Sequence, residues 1–176
     1  EHDNNPPGFP YIVKHHWHEQ IEIIYLEQDS YQVDINMTVT HVKSPCFCFI
    51  NSGELHALSS DSEKYLEQAV VFSADMLAFS VPDPVQEEFL LPLSEQKLSF
   101  TSFLGYEHPA FNEVQQEFLK IRSTFRKENR ICMDQLTIEN PVSQLRIKAA
   151  LLNILAILSE HGLLTSNEPA HNPRVE

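Results

Sequence analysis

Three residues with metal-ligating side chains, His16, His18 and Glu22, stand at even spacings where a strand-like stretch begins. In a β-strand, residues two and four apart point to the same side of the sheet. We therefore expect the three side chains to converge on one surface, which could be the inside of a barrel. A turn at Gly53 leads to His56, which offers a fourth such group. Imidazole nitrogens with a carboxylate suit Fe, Mn, Ni, Cu or Zn, and an open metal position could activate a substrate.

The sequence leaves three interpretations of this four-residue cluster open. The four side chains bind a metal, or they line a pocket and hydrogen-bond to a hydroxylated or amino ligand. In the third interpretation they hydrogen-bond to one another and hold the strands together, with Glu22 orienting a histidine. We favour the second and third combined. His15 breaks the even register and is expected to face the other way. Trp17 and Tyr25 have odd register and are expected to pack beneath helices.

The composition is that of one globular domain. The 176 residues are 42% hydrophobic, which is ordinary for a core of this size. The net charge of −13 argues against this chain itself gripping a phosphate backbone. We see no secretory leader, and the longest apolar run, at residues 149–158, is too short to span a bilayer. With four glycines, phosphate-binding loops and nucleophile elbows are not expected.

The three cysteines, Cys46, Cys48 and Cys132, do not suggest a disulfide framework, because their number is odd. Cys46 and Cys48 share one face of a predicted strand. Buried or half-buried free thiols in a cytoplasmic protein are the favoured account. A two-cysteine metal clip is the alternative, although one intervening residue is an unusual spacing for zinc.

Short strand patterns fill the first half of the chain, which favours an antiparallel sandwich or barrel. A tight hairpin turn is expected at Asn36-Met37. We expect a short helix from Ser73 to Phe79, another turn or two of helix near 85–91, and irregular structure over 92–107. The predicted strands cover Ile21 to Glu27, Tyr31 to Ile35, Thr38 to Lys43, Cys46 to Ile50, Leu55 to Leu58 and Tyr65 to Phe72.

Two long helices are expected in the second half. The first has one apolar stripe at three- and four-residue steps, formed by Phe111, Val114, Phe118, Ile121 and Phe125. The second begins with Asn140 as its N-cap and Pro141 at the first helical position, and it ends at Gly162. This helix is apolar on almost every side. Either the monomer buries it completely or a partner subunit covers one face, for which we select Leu145, Leu152 and Leu155.

The segments around His16-x-His18-x-x-x-Glu22 and Gly53-x-x-His56 resemble the two motifs of the cupin superfamily, which are small β-barrels. In metal-binding cupins these four positions ligate one metal. The framework positions differ, because Pro10 and Pro45 stand where glycines are expected. Asp29 lies near the closing glycine of the first motif. In the second motif Asn51 replaces a proline and Ser60 replaces an asparagine.

The strings His16-Trp17-His18-Glu19-Gln20-Ile21-Glu22-Ile23 and Phe49-Ile50-Asn51-Ser52-Gly53-Glu54-Leu55-His56 look like the N-terminal domain of AraC-type transcription regulators. The late leucine-rich helix also points to regulators over cupin enzymes. The resemblance implies an α+β fold: an antiparallel cupin-like β-barrel of jelly-roll type, followed by a helical portion with two long helices. It also implies an effector-sensing barrel and helices that form a homodimer.

The domain organisation that follows from this resemblance has five parts. We expect a flexible tail over 1–10, the barrel over 11–80, a connecting segment over 81–107, a helical dimerisation region over 108–162, and a linker over 163–176. DNA would be bound only by a C-terminal domain absent from this chain.

The expected function is a cytoplasmic, non-enzymatic sensor without cofactor or membrane contact. A small polar effector such as a sugar or metabolite would contact His16, His18, Glu22 and His56. The alternative is a metal-dependent cupin enzyme, an oxygenase or sugar isomerase, with the same four residues as ligands.

Overall fold

The computed structural model describes residues 11–61, 66–127 and 140–167. Four features of the sequence analysis lie outside these ranges: the predicted tail at 1–10, the predicted strand start at Tyr65, the thiol of Cys132 and most of the predicted linker. The described helices are α1 (Leu91–Ser94), α2 (Phe111–Lys127) and α3 (Pro141–Glu160), with a 3-10 turn at Ala74–Leu77 and a π-helical turn at Gln86–Leu90. The described strands are β1 (Tyr11–His16), β2 (Ile21–Gln28), β3 (Ser30–Ile35), β4 (Thr38–Lys43), β5 (Cys46–Ile50), β6 (His56–Ser60), β7 (Leu66–Phe72), β8 (Leu98–Phe100), β9 (Phe103–Gly105) and β10 (Leu164–Ser166).

The strands form two four-stranded antiparallel sheets and one two-stranded sheet. The front sheet has the order β1-β6-β3-β4, and the rear sheet has the order β7-β2-β5-β9. Apolar side chains from both sheets meet in one buried layer, so the sheets face each other as a sandwich. The predicted α+β fold with antiparallel sheets is therefore confirmed, whereas a closed barrel is not shown by the described residues.

The central strands β2 and β5 are buried on both faces. Even-numbered residues such as Ile24 and Cys48 belong to the layer between the sheets. Odd-numbered residues such as Tyr25 and Phe47 belong to the core under the helices. The Tyr25 ring stacks on Phe47 and lies 5.8 Å from the ring of Phe118 in α2, while its hydroxyl accepts a hydrogen bond from Gln115. The prediction that Tyr25 packs beneath the helices is confirmed.

The two long helices form where the sequence predicts them. In α2 the predicted stripe is buried at Phe111, Val114, Phe118 and Ile121, while Phe125 is half-buried. The Asn140 side chain caps α3 by accepting from the amide of Val142 at 2.9 Å. Gly162 has φ +68°, which ends the helix in the left-handed region that glycine tolerates.

Other predictions of secondary structure need correction. Residues 92–107 were expected to be irregular, but they contain part of α1 and the whole of β8 and β9. The short helix after Ser73 is a single 3-10 turn, and the Ser73 side chain does not cap it. Strand β10 occupies part of the segment expected to be linker and pairs with β8. These short pairings depend on distant partners, which local sequence periodicity does not reveal.

The outer face of α3 carries an exposed apolar stripe. Val142, Leu145, Ala149, Leu152 and Ala156 recur at alternating steps of three and four residues, and all are exposed except the half-buried Leu152. Leu145 is 68% exposed. By contrast, the third predicted dimerisation residue is not on this face, because Leu155 is buried in the core under the helices.

By length and apolar composition, α3 is the one helix within the described ranges that could cross a membrane. A core helix can satisfy the same criterion, and one face of α3 is buried in the core under the helices. The finding is therefore weak evidence for a membrane span.

The ring of Phe118 joins α2 to the rear sheet, so its removal should destabilise the whole fold. We expect Phe118→Ala to lower the free energy of unfolding by about 3–5 kcal/mol, because it leaves a cavity among aromatic rings. The adjacent, 37% exposed Leu119 provides a matched control. Leu119→Ala should cost under about 1 kcal/mol in the same urea titration. Equal losses for the two variants would contradict the packing described above.

A candidate metal centre at one end of the sandwich

The four predicted residues converge at one end of the sandwich. His16 ends β1, His18 lies in the following loop, Glu22 is in β2 and His56 begins β6. One ligand atom from each residue lies within 4.8 Å of the other three. The ring centroids of His16 and His56 are 4.1 Å apart, and those of His18 and His56 are 5.1 Å apart. The structure therefore brings together every residue of the predicted cluster.

The route to this convergence differs from the predicted single strand. His16 pairs with His56 in the front sheet, whereas Glu22 pairs with Ile50 in the rear sheet. The intervening loop carries the chain from one sheet to the other, so the cluster joins the two sheets at their shared end. The even spacing thus predicted which residues lie close together, but it did so from a strand geometry that the chain does not adopt.

All three imidazole rings are oriented by the backbone through Nδ1. His16 Nδ1 lies 2.9 Å from the carbonyl oxygen of Lys14, His18 Nδ1 lies 2.8 Å from that of Gln20, and His56 Nδ1 lies 2.9 Å from that of Glu54. A carbonyl oxygen only accepts, so each Nδ1 must carry the proton. In the neutral ring this leaves the lone pair on Nε2. Bonds of this kind commonly fix the tautomer and orientation of a metal-ligating histidine.

The Glu22 carboxylate lies between two of the rings. Its Oε2 is 3.2 Å from His18 Nε2 and 3.2 Å from His56 Nε2. Burial acts to raise the pKa of Glu22, but the contacts with His18 and His56 outweigh it and lower the pKa to about 2. The hydrogen bond to Glu22 raises the pKa of His18, although partial burial opposes the increase.

The donor set fits a transition metal. The His56 residue is only 3% exposed, and its Nε2 completes no well-directed hydrogen bond within the described ranges. A buried nitrogen in this condition is costly, and a metal ion would satisfy it. Donor atoms around a metal with bonds of about 2.1 Å lie at most about 4 Å apart, so small side-chain shifts would bring these four into range. Three nitrogens and one oxygen suit Zn, Fe, Mn, Ni or Cu.

Neither of the two residues that flank His16 belongs to the cluster. His15 Nε2 lies 2.8 Å from Asp34 Oδ2, and an irregularity in the β1–β6 pairing between Val13 and His16 accompanies this change of direction. The prediction that His15 faces the other way is confirmed. Trp17 was expected beneath the helices, but it is 64% exposed because it lies in the crossover loop and not in a strand.

The loop of residues 51–56 supports His56 through hydrogen bonds that the sequence did not predict. The Gly53 amide donates to the His18 carbonyl oxygen at 2.9 Å. Glu54 accepts from the Asn51 amide through Oε2 at 2.8 Å. The Asn51 side chain in turn bonds both backbone groups of Phe100. The position of Asn51, where the second cupin motif has a proline, was the one signal in the sequence.

Buried apolar side chains fill the described part of the layer between the sheets, and the cluster sits at the end of this layer. Cys46 and Cys48 are buried there as free thiols, as predicted. Burial raises the pKa of Cys46 to about 11 and raises that of Cys48 strongly. Two concavities of the described surface lie elsewhere, one on the outer face of the front sheet and one between α2 and α3.

Comparisons with known proteins give weak relationships. No protein-family model matches the chain, and no curated protein matches it. Among solved structures, an oxalate decarboxylase matches at 24% identity and TM-score 0.33 over 37% of this chain and 18% of its own. A mutant of oxalate decarboxylase from Bacillus subtilis matches at 26% identity and TM-score 0.33, over 39% and 20%. ToxT from Vibrio cholerae matches at 7% identity and TM-score 0.43, over 93% and 57%.

All of these matches have TM-scores under 0.5, so they do not assign the chain to a family. The chain spans about a fifth of the length of the oxalate decarboxylase chains and 57% of the ToxT chain. They also correct one expectation. We expected no enzymatic activity, and that exclusion does not stand, because three of the similar structures are of oxalate decarboxylase, an enzyme.

The ion pair of Glu22 and His18 makes the stability of the metal-free protein depend on pH. The lowered pKa of Glu22 stabilises the fold above about pH 4.5, and this stabilisation is lost as the pH falls towards 2. The raised pKa of His18 stabilises the fold below about pH 6.5 and is lost as the pH rises further. We expect Glu22→Gln to lower the free energy of unfolding by about 3 kcal/mol between pH 4.5 and 6.5, and by much less near pH 2.

Urea titrations of chelator-treated protein at several pH values measure this difference. The exposed Glu19 lies in the same loop and provides the control, so Glu19→Gln should follow the wild type at every pH. A pH-independent cost of Glu22→Gln would show that the ion pair is not its cause.

Proposed function

We propose that this chain binds a small polar molecule at a transition-metal ion held by His16, His18, Glu22 and His56. The observation that carries the proposal is the shared orientation of the three rings. Each Nδ1 is bonded to a backbone carbonyl oxygen, which directs each Nε2 lone pair away from the backbone and leaves it available to a metal. A mutually hydrogen-bonded cluster would not need the same tautomer in all three rings.

The residues of the chain have distinct roles in such a centre. Glu22 supplies the negative charge, and its low pKa keeps it ionised at any physiological pH. The buried His56 anchors the metal on the protein side, whereas the exposed His16 leaves a route for a ligand from solvent. When bound, a metal of this class acts as a Lewis acid that polarises a coordinated oxygen. A ligand with a carboxylate or neighbouring hydroxyl groups suits this chemistry.

Two functions are candidates for such a centre. The first is a metal-dependent enzyme of the cupin type, such as an oxygenase or a sugar isomerase. The second candidate is the ligand-binding and dimerisation domain of an AraC-type transcription regulator. The apolar stripe on α3 favours the second candidate, because its three- and four-residue steps match the seam of a helix pair. DNA would then be bound by a domain outside this chain. The sequence strings quoted above add support from resemblance.

Metal binding can be tested by titrating Co²⁺ into chelator-treated protein. The chain has one tryptophan, Trp17, which stands between two of the ligands and reports binding by fluorescence quenching. We expect one Co²⁺ per chain by elemental analysis and visible absorption from the bound ion. His56→Ala should weaken binding by at least about 100-fold, because loss of an outer-shell partner alone costs 10–100-fold.

The exposed His41 on β4 provides a matched control, since it lies outside the cluster. His41→Ala should bind Co²⁺ like the wild type. Stoichiometric binding that survives His56→Ala would exclude the proposed ligand set, and an absence of binding in the wild type would exclude the metal centre.

Dimerisation through α3 is tested by static light scattering at micromolar concentration. We expect a dimer for the wild type and a monomer for Leu145→Asp, because a charge within an apolar seam is strongly unfavourable. Leu119→Asp on the outer face of α2 provides the control and should remain dimeric. A monomeric wild type would contradict the regulator candidate while leaving the metal centre in place.

A further inference from the structure

We infer that Asn51 couples occupancy of the metal centre to the docking of β10, the strand that follows α3. The inference rests on the proposed function, because metal binding is the event that is transmitted. It assigns Asn51 as a positioning residue that neither touches the metal nor belongs to the four-residue cluster. One continuous path of hydrogen bonds runs from His56 to Asn167.

The first part of this hydrogen-bond path links His56 to Asn51. His56 Nδ1 donates to the carbonyl oxygen of Glu54 at 2.9 Å. The Glu54 side chain accepts from the Asn51 amide at 2.8 Å, and the Glu54 amide donates to the Asn51 carbonyl oxygen at 3.2 Å. A metal bound at His56 Nε2 would fix the ring, and the ring would then fix the turn that carries Asn51.

The second part links Asn51 to β8. Asn51 Oδ1 accepts from the Phe100 amide at 2.8 Å, and Asn51 Nδ2 donates to the Phe100 carbonyl oxygen at 3.1 Å. The side-chain amide therefore pairs with one edge of β8 as the backbone of a neighbouring strand would. A parallel contact, from Gln96 Nε2 to Ser52 Oγ at 3.2 Å, joins the same two segments.

The third part links the opposite edge of β8 to the end of the described chain. Strand β10 pairs antiparallel with β8. The Asn167 amide donates to the Lys97 carbonyl oxygen at 2.7 Å, and its side chain bonds Gln96 and Ser99. Strand β8 thus has Asn51 on one edge and β10 on the other, so the position of β8 affects both.

Strand β10 is suited to respond because little apolar burial holds it. Leu164 is half-buried, while Thr165, Ser166 and Asn167 are exposed. Its attachment consists mainly of hydrogen bonds at the surface, and such segments open at low free-energy cost. A modest change in β8 would therefore change the docked fraction of β10 measurably.

Hydrogen–deuterium exchange of the chain with and without Co²⁺ tests the coupling, with Co²⁺ absorption as a separate measure of binding. In the wild type we expect Co²⁺ to slow exchange over residues 163–167 by about fivefold, the lower end of typical coupling. Asn51→Ala should still bind Co²⁺ but lose this protection. Ser52→Ala, which removes only the parallel contact, should keep most of it.

Asn167→Ala tests the same coupling from the exposed end, where folding is not at risk. Because coupling is reciprocal, weaker docking of β10 should lower Co²⁺ affinity by up to about fivefold. If the wild type binds Co²⁺ normally but exchange over 163–167 does not change, the coupling is contradicted and the proposed metal centre is not. Full protection of residues 163–167 in Asn51→Ala would also contradict the coupling alone. A wild type that binds no Co²⁺ overturns the proposed function, and the coupling with it.

Discussion

The burial of β2 and β5 on both faces is the constraint on which the other features depend. These two strands lie at the centre of the rear sheet and supply one face to the layer between the sheets and the other to the core under the helices. A slip of one residue in β2 would exchange the two faces. Tyr25 would then leave its aromatic neighbours, and Glu22 would turn away from the histidines. The packing of two cores therefore determines the direction of one carboxylate.

The placement of Glu22 has an electrostatic consequence. A buried carboxylate is expensive unless it is paired, and here two imidazoles provide the pairing in the metal-free protein. The same contacts hold the donor atoms together before any metal arrives. A metal ion at the proposed centre would have to displace the proton that His18 tends to hold, so binding would compete with the internal ion pair. Preorganisation of the proposed centre would thus cost some metal affinity in acid.

The sequence predicted the members of the cluster, the two long helices and the burial of Tyr25, because periodicity and capping are local signals. It did not predict the crossover of the chain between His16 and Glu22, since a change of sheet has no periodic signature. The exposure of Trp17 followed from that crossover. The contacts of Asn51 with Phe100, and the pairing of β10 with β8, join residues 49 to 68 positions apart. Such pairings depend on the assembled fold, and single-sequence patterns carry no information about them.

The two buried thiols lie close to the proposed metal centre. Cys48 faces the same layer as Glu22 and pairs with Ile24, one inward-facing position along β2. Burial keeps both thiols protonated, and only a thiolate is an effective ligand for soft ions. A cuprous, cadmium or mercuric ion would therefore have to displace a tightly held proton before either sulfur could bind it. The apolar layer thus keeps the thiols protonated although the Ile24–Cys48 pair is the next inward-facing pair after Glu22–Ile50.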